Sequence, residues 1–356
     1  MKLIRKIEHY YKRAYLMGHY PSLSSVLFTD KKIFVYYGFL GDNNYGDELV
    51  YHATKAVFKD DILLPVSRYM PVALRLFVAL NKGKIAGLAV GGGTLIGRFY
   101  MSDFFKDLVD SGKSVYVHGT GVKETIGEQK PWAAVLRNKL FGGVRGPLSV
   151  ENISVIKKDM NIAGDAAFAL FSDLKFVERK DNKKVLINLG THAPYPGQEF
   201  FRKEFNDFIT FLISNGYTVN YLPFHEIDLE LGQGLKALFP EINILDQPDG
   251  FEECAAVFAD SIFAIGERLH FTVMAIMTRN PFISLNYAKK HEDLLLSLSI
   301  PEVGLSPEDA SCEQMIHALN TRDDFQWDDI RKKMIGYKEF QFEEVQKFIA
   351  AAQTKK

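Results

Sequence analysis

Cysteine is nearly absent: two residues in 356, Cys254 and Cys312, each alone in its stretch of chain. That excludes a disulfide framework and a cysteine-built zinc site. No apolar run reaches the ~18–20 residues that a membrane-spanning helix needs. The opening Met1-Lys2-Leu3-Ile4-Arg5 has neither a continuous apolar core nor a small-residue cleavage site, so no secretory signal is expected. Excess charge is also missing. Forty-three Lys and Arg stand against 44 Asp and Glu, a net charge of −1, so the chain lacks the basic field of a nucleic-acid binder. There is no internal repeat of about 20–50 residues and no low-complexity tract. What is present is 47% hydrophobic and 24% charged, an ordinary globular composition, at a length that favours two domains. The expectation is a soluble, cytoplasmic, two-domain protein.

The pattern of residues supplies the architecture. Lys32-Ile33-Phe34-Val35-Tyr36-Tyr37 reads as a strand closed by Gly38, and a helix follows over about 47–58, with Leu49, Val50, Ala53 and Val57 on one face. Ile85-Ala86-Gly87-Leu88-Ala89-Val90 and Ser114-Val115-Tyr116-Val117 are two more strands, each running into glycines. After a charged stretch at 172–184 the alternation restarts. Strands are expected at 185–189, 218–222, 242–245, 261–264 and 281–285, with a helix at 199–214. Continuous apolar strands followed by helices indicate doubly wound parallel sheets. The fold class is therefore α/β: two Rossmann-like domains in a GT-B-like arrangement with an inter-domain cleft. Residues 31–171 are expected to form the N-terminal domain, and 184–324 the C-terminal domain. Residues 325–356 form a helix that returns toward the N-terminal domain. Residues 1–30 are a basic amphipathic segment, with Lys2, Arg5, Lys6, Lys12 and Arg13 against Glu8. Two readings of it stand: an interfacial helix in peripheral contact with the inner face of a membrane, or a helix docked on its own domain.

Ligands of open parallel sheets bind beyond the carboxyl ends of the strands, and the unusual residues of this chain fall there. Gly38 to Glu48 is a strand-to-helix loop containing Asn44 and Gly46, with Asp47 placed to cap the helix. Gly91-Gly92-Gly93-Thr94 requires positive φ or the close approach of another group. His118-Gly119-Thr120-Gly121 puts a histidine at the next strand exit, and Arg145 follows a further short strand, suited to gripping a carboxylate or phosphate. Glu267-Arg268-Leu269-His270 opens a helix, where two cations oppose the macrodipole unless an anion joins them. Asn286-Tyr287-Ala288-Lys289-Lys290 brings further donors to the same rim. Packing, turns, surface ion pairs and solvated basic residues remain open as plainer accounts of each motif.

Taken in order, Tyr37-Gly38-Phe39, Asn44-Tyr45-Gly46-Asp47-Glu48, Gly91-Gly92-Gly93, His118-Gly119-Thr120-Gly121, Val144-Arg145, Gly164-Asp165, Leu222-Pro223-Phe224-His225 with Asp228, Arg268-Leu269-His270 and Tyr287-Ala288-Lys289-Lys290 form a series. This series resembles the polysaccharide pyruvyltransferase family over roughly residues 31–298. The resemblance implies a transferase that moves a pyruvyl group from phosphoenolpyruvate to sugar hydroxyls as a ketal, on a cell-surface polysaccharide or its precursor. It implies phosphoenolpyruvate as co-substrate with no cofactor or metal, and a sugar or lipid-linked oligosaccharide as acceptor. Three positions depart from the family's habit: Gly146, Glu267 and the middle of the Tyr287 to Lys290 motif.

For that chemistry Arg145, Arg268, His118 and Lys290 are the donor-binding candidates. His270 is the general acid, with Asp47 or His118 to take a hydroxyl proton. Asn44, Gly46, Gly92 and Gly93 shape the acceptor side. Two other readings stay open, a GT-B glycosyltransferase using a nucleotide sugar and a non-catalytic sugar- or anion-binding module.

Overall fold

The computed structural model describes residues 20–66, 70–97, 103–127, 131–137, 139–172, 182–190 and 197–352, with the backbone alone at 103–106. Most of the basic N-terminal segment, and of the charged stretch expected between the domains, lies outside these residues.

Two compact units divide the chain. The first comprises the described residues up to Asn43, Val50–Leu170 and those from Ile335 onward; the second comprises Asn44–Leu49 and Phe171–Met334. In chain order the first unit is built from α1 (Leu23–Leu27), β1 (Ile33–Tyr37), α2 (Tyr45–Phe58), β2 (Ile62–Val66), α3 (Val72–Leu80), β3 (Ile85–Gly91), β4 (Thr94–Ile96), α4 (Asp103–Asp110), β5 (Val115–Val122), α5 (Pro131–Arg137), β6 (Leu140–Val144), α6 (Pro147–Ile153) and β7 (Asn161–Ile162). The first turn of α2 groups with the second unit. The second unit then runs through β8 (Lys184–Asn188), α7 (Gln198–Ser214), β9 (Thr218–Tyr221), α8 (Asp228–Leu238), β10 (Asn243–Ile244), α9 (Phe251–Ala259), β11 (Phe263–Gly266), α10 (Leu269–Met277), β12 (Phe282–Leu285), α11 (Lys289–Leu298), β13 (Gly304–Leu305) and α12 (Cys312–Asn320). The last helix, α13 (Trp327–Ala351), begins in the second unit and ends in the first.

The first sheet has the order β2-β1-β3-β5-β6-β7, with β4 pairing off β5, and the second the order β10-β9-β8-β11-β12-β13. All pairings between these strands are parallel, with Val35 opposite Leu64 and Leu88 in the first and Ile187 opposite Tyr221 and Ile265 in the second. In each sheet the chain builds outward from an inner strand and then reverses direction. The reversal falls between β1 and β3 in the first sheet and between β8 and β11 in the second. These are the topological switch points where ligands of such sheets bind.

Strands buried on both faces account for the apolar runs read from the sequence. One face of the first sheet carries Leu74, Phe77, Leu108, Trp132 and Ile153 from its helices, while the other carries Tyr51, Val57 and Phe348. Phe348 of α13 packs on Phe34 and Tyr116, with ring centroids 5.2 and 5.8 Å away. Gly87 leaves room for it, because a Cβ there would lie 2.6 Å from the ring. A glycine inside a strand here marks close packing, as expected.

Two local readings are corrected. Strand β5 continues from Val115 through His118-Gly119-Thr120-Gly121 to Val122 rather than ending at His118. Gly119, at φ +57°, forms an irregularity in the ladder to β6, and its missing side chain admits the backbone of Gly164 and Asp165. Strand β2 has no counterpart in the sequence reading, since Pro65 interrupts it; at the sheet edge the missing N–H costs no ladder bond.

Candidate functional site

The chemistry-bearing residues of the second unit gather at the carboxyl ends of β8, β9, β11 and β12, around the switch point. Arg268 is the N-cap of α10, with its own N–H donating to Asn188 Oδ1 at 3.1 Å. Its guanidinium is held along one edge. Nε donates to both oxygens of Asp228, at 3.1 and 3.2 Å, and Nη2 donates to Oδ1. Asp228 is fully buried, and its Oδ2 also accepts from the N–H groups of Phe224 and His225 at 3.0 and 3.1 Å. Burial disfavours the Arg268 charge, but the hydrogen bond and charge of Asp228 outweigh it, so the guanidinium pKa is raised. Gly190 supplies the space for this arrangement, as a Cβ there would meet Nε at 2.2 Å. Among the described residues Nη1 makes no hydrogen bond. The outer edge of the fork remains available for a carboxylate or phosphate, while Asp228 fixes its direction.

The macrodipole argument anticipated an anion beside Arg268, and a protein carboxylate meets part of that need. Asp228 belongs to the motif series but was assigned no role from sequence. The signal was its place three residues after His225, at the start of α8.

His270 lies one residue into α10 and is 8% exposed. Gly46 sits against its ring: a Cβ at 46 would lie 2.1 Å from Nδ1 and 2.5 Å from Cγ. Gly46 is thereby brought together with His270, and Asn44 and Asp47 flank it in the chain. The cap of α2 belongs to Asn44 rather than Asp47. Asn44 Oδ1 accepts from Gly46 N–H at 3.1 Å, and its carbonyl accepts from Asp47 and Glu48 N–H. Asp47 lies inside the helix because the turn begins two residues earlier than its pattern suggests. Tyr45 anchors the turn to the loop after β9. Its N–H donates to Phe224 O at 2.8 Å, its ring meets Phe224 edge-on, and its hydroxyl donates to Gly250 O at 3.3 Å.

Lys290, in the first turn of α11, donates from Nζ to the Tyr287 hydroxyl at 2.6 Å. Tyr287 in turn is close enough to Arg268 to contribute to its field. Glu267, which departs from the family's apolar habit, is fully buried. It accepts from Gly190 N–H at 2.8 Å and pairs with Arg202 of α7 at 3.2 Å.

The first-unit candidates are enclosed. Arg145, expected as an open guanidinium, is 1% exposed. Its fork lies close against Gly121 and donates to Gly93 O at 3.4 Å and Thr94 Oγ1 at 3.3 Å, with Asp165 at 3.9 Å. Gly92 and Gly93 take positive φ of +86° and +53°, and a Cβ at Gly92 would press on Val50 and Tyr36. His118 is buried within β5 rather than at its exit. Its Nε2 lies 3.2 Å from Gln341 Oε1 and its Nδ1 2.9 Å from Thr54 Oγ1. Both Gln341 amide hydrogens go to carbonyls, so Oε1 accepts and Nε2 carries the proton. Burial lowers the His118 pKa to about 4, against the opposing influence of Gln341 and Asp165.

A cavity of about 560 Å³ lined by Phe263, Phe282, His317 and Phe325 reaches the amino ends of β11 and β12, opposite to Arg268. Among the described residues no group of three His, Cys, Asp or Glu is placed to hold a metal, and no helix is long and apolar enough to cross a membrane.

Solved structures with this fold include UDP-GlcNAc 2-epimerases. The enzyme from Neisseria meningitidis bound to UDP-GlcNAc is 11% identical, with 90% of this chain and 100% of that chain covered at a TM-score of 0.56. The enzymes from Methanocaldococcus jannaschii and Rickettsia bellii each match over 90% of this chain, and 100% and 96% of theirs, at 11% identity and a TM-score of 0.54. At such identity the likeness bears on fold alone, and it places the chain among two-domain α/β proteins of GT-B type. No curated protein matches the chain in sequence. The sequence model of the family described as polysaccharide pyruvyl transferase matches residues 44–289, from the Asn44 turn to the start of α11. The chain belongs to that family.

Proposed function

We propose that this protein transfers a pyruvyl group from phosphoenolpyruvate to two hydroxyls of a sugar, forming a cyclic ketal on a polysaccharide or its lipid-linked precursor. The observation that carries the reading is the Arg268-Leu269-His270 turn: a guanidinium fixed on one side by Asp228 and open on the other, next to an imidazole at a helix N-terminus. Phosphoenolpyruvate offers a carboxylate and a phosphate to such a pair. Lys290, on the same rim, serves the second anionic group.

The reaction is redox-neutral and needs no cofactor. A proton adds to the methylene carbon, a sugar hydroxyl attacks the central carbon, phosphate leaves, and a second hydroxyl closes the ring. Both hydroxyls lose their protons: one balances the proton given to carbon and the other leaves with the phosphate. His270 delivers the carbon-bound proton. A dianion bound beside the ring favours its protonated form. The acid is thus formed when the donor arrives. Asp47, one residue beyond Gly46, is the candidate to accept a hydroxyl proton. In this reading Arg145 and His118, both enclosed in the first unit, support its packing through Thr94, Thr54 and Gln341.

His270→Gln keeps a hydrogen-bond donor but cannot deliver a proton near neutral pH. With phosphoenolpyruvate and a panel of free and lipid-linked glycosides, turnover should fall about 10²-fold or more, the scale of general acid catalysis, with donor affinity little changed. Normal turnover, or lost donor binding, would assign His270 a positioning role. Binding of UDP in preference to phosphoenolpyruvate would favour the nucleotide-sugar reading.

A further inference from the structure

A second guanidinium stands at the rim that holds Arg268. Arg202 lies in the second turn of α7, the helix that follows β8, and its side chain is 25% exposed. It pairs at 3.2 Å with Glu267, the residue between β11 and Arg268. Glu267 is fully buried, and the oxygen that accepts from Gly190 N–H at 2.8 Å also lies 3.5 Å from Arg202 Nη2. Gly190, two residues beyond β8, is the same glycine whose missing Cβ makes room for Arg268 Nε. Two arginines therefore converge on one backbone position at the carboxyl end of β8. Arg268 approaches it at Cα, and Arg202 through the carboxylate that takes its N–H. Each is set against a buried carboxylate, Asp228 in one case and Glu267 in the other.

Stability does not account for the second pair. Taking a carboxylate and a guanidinium out of water costs about as much as their attraction returns, and apolar residues of similar volume serve as well or better. A buried carboxylate does something an apolar residue cannot: it fixes the direction of a part-exposed, planar fork at the rim where ligands of such sheets bind. Each pair is neutral overall, so it contributes directed donors rather than net charge.

We propose that Arg202 is a second anion-binding group of this site, and that Arg268 and Arg202 grip the two anionic groups of one donor molecule from either side of Gly190. The proposal rests on the pyruvyl-transfer reading and deepens it. Phosphoenolpyruvate carries its carboxylate and its phosphate on the same carbon, so a site for it needs two sets of donors close together. One guanidinium meets only one of these groups bidentately. Lys290, held on the Tyr287 hydroxyl, brings a point charge to the second group, and Arg202 brings the fork that orients it.

The test compares two variants that differ only at position 202. In Glu267→Gln the side-chain oxygen can still accept from Gly190 N–H, and no buried charge is stranded when Arg202 is also removed. The double variant Glu267→Gln, Arg202→Met should therefore melt close to Glu267→Gln. In calorimetry with phosphoenolpyruvate its affinity should be about tenfold or more below that of Glu267→Gln, the scale of losing a charged hydrogen bond. Arg202→Lys provides the same comparison against wild type with the buried ion pair kept. It should also weaken donor binding, because lysine cannot reproduce the bidentate contact. If wild type binds the donor and removing Arg202 leaves affinity unchanged in either comparison, the role of Arg202 is overturned and the pyruvyl-transfer reading stands. If wild type does not bind phosphoenolpyruvate, both are overturned.

Discussion

Replacing Gly46 with alanine introduces a single methyl group at the point where α2 meets His270. The new carbon would lie 2.1 Å from Nδ1, 2.5 Å from Cγ and 2.8 Å from Cβ of the histidine, and the imidazole would have to move by about 1 Å or more to restore van der Waals contact. Two opposing effects act on stability. Alanine is favoured over glycine within a helix by up to about 1 kcal/mol, and less in the first turn, where Gly46 sits. Overpacking a buried contact costs about 1–3 kcal/mol. The balance is a mild destabilisation of about 0–2 kcal/mol, a few degrees in melting temperature at most. The effect on turnover should be far larger, because a displacement of about 1 Å in a catalytic group can cost about 10²-fold. The assay is phosphate release from phosphoenolpyruvate with a competent acceptor, alongside thermal melting. The double variant Gly46→Ala, His270→Ala should recover the lost stability, a coupling expected only of residues in contact. If Gly46→Ala retains turnover within about twofold, the reasoning that places His270 at the chemical step through this contact fails.

Arg202→Met should leave the buried Glu267 carboxylate without its cation and lower stability by about 3 kcal/mol, the lower end for a broken buried pair. The lower end applies because Arg202 is a quarter exposed. Adding Glu267→Leu should recover most of the loss in a melting experiment, and a further loss would show that Glu267 does more than balance Arg202. His118 predicts an acid sensitivity. Its folded pKa of about 4 lies below the 6.5 of a free imidazole, so protons favour the unfolded chain, and up to about 3 kcal/mol of stability should be lost as pH falls from 6.5 to 4. Melting of wild type over that range should be steeper in pH than melting of His118→Gln, and equal slopes would contradict the assignment.

The sheets were legible in the sequence because strands buried on both faces are continuous apolar runs closed by glycine. Ile85 to Val90 and Val185 to Leu189 differ from the observed β3 and β8 by one residue at their ends. Strand β2 escaped because Pro65 breaks the run, which only an edge position tolerates. The glycines of β5 looked like the end of a strand. Their role, visible only in three dimensions, is to admit the segment around Asp165 and the Arg145 guanidinium. Arg268 and His270 could be named from their place at a helix start. Asp228, forty residues away in sequence, could not be recognised as the partner of Arg268, because only the adjacency of β8, β9 and β11 brings the two together. The same holds for Gly46, whose absent side chain has meaning only once His270 lies beside it.

The most direct measurement follows phosphoenolpyruvate labelled with ¹³C at its central carbon, incubated with the protein and a glycoside acceptor, by NMR. The account predicts conversion of the enol carbon signal to that of a ketal carbon bearing two oxygens, with one phosphate released per ketal formed. Arg268→Ala should lose that conversion by weakening donor binding. Phosphoenolpyruvate that neither binds nor changes across free and lipid-linked acceptors, while a sugar nucleotide is consumed, would contradict it.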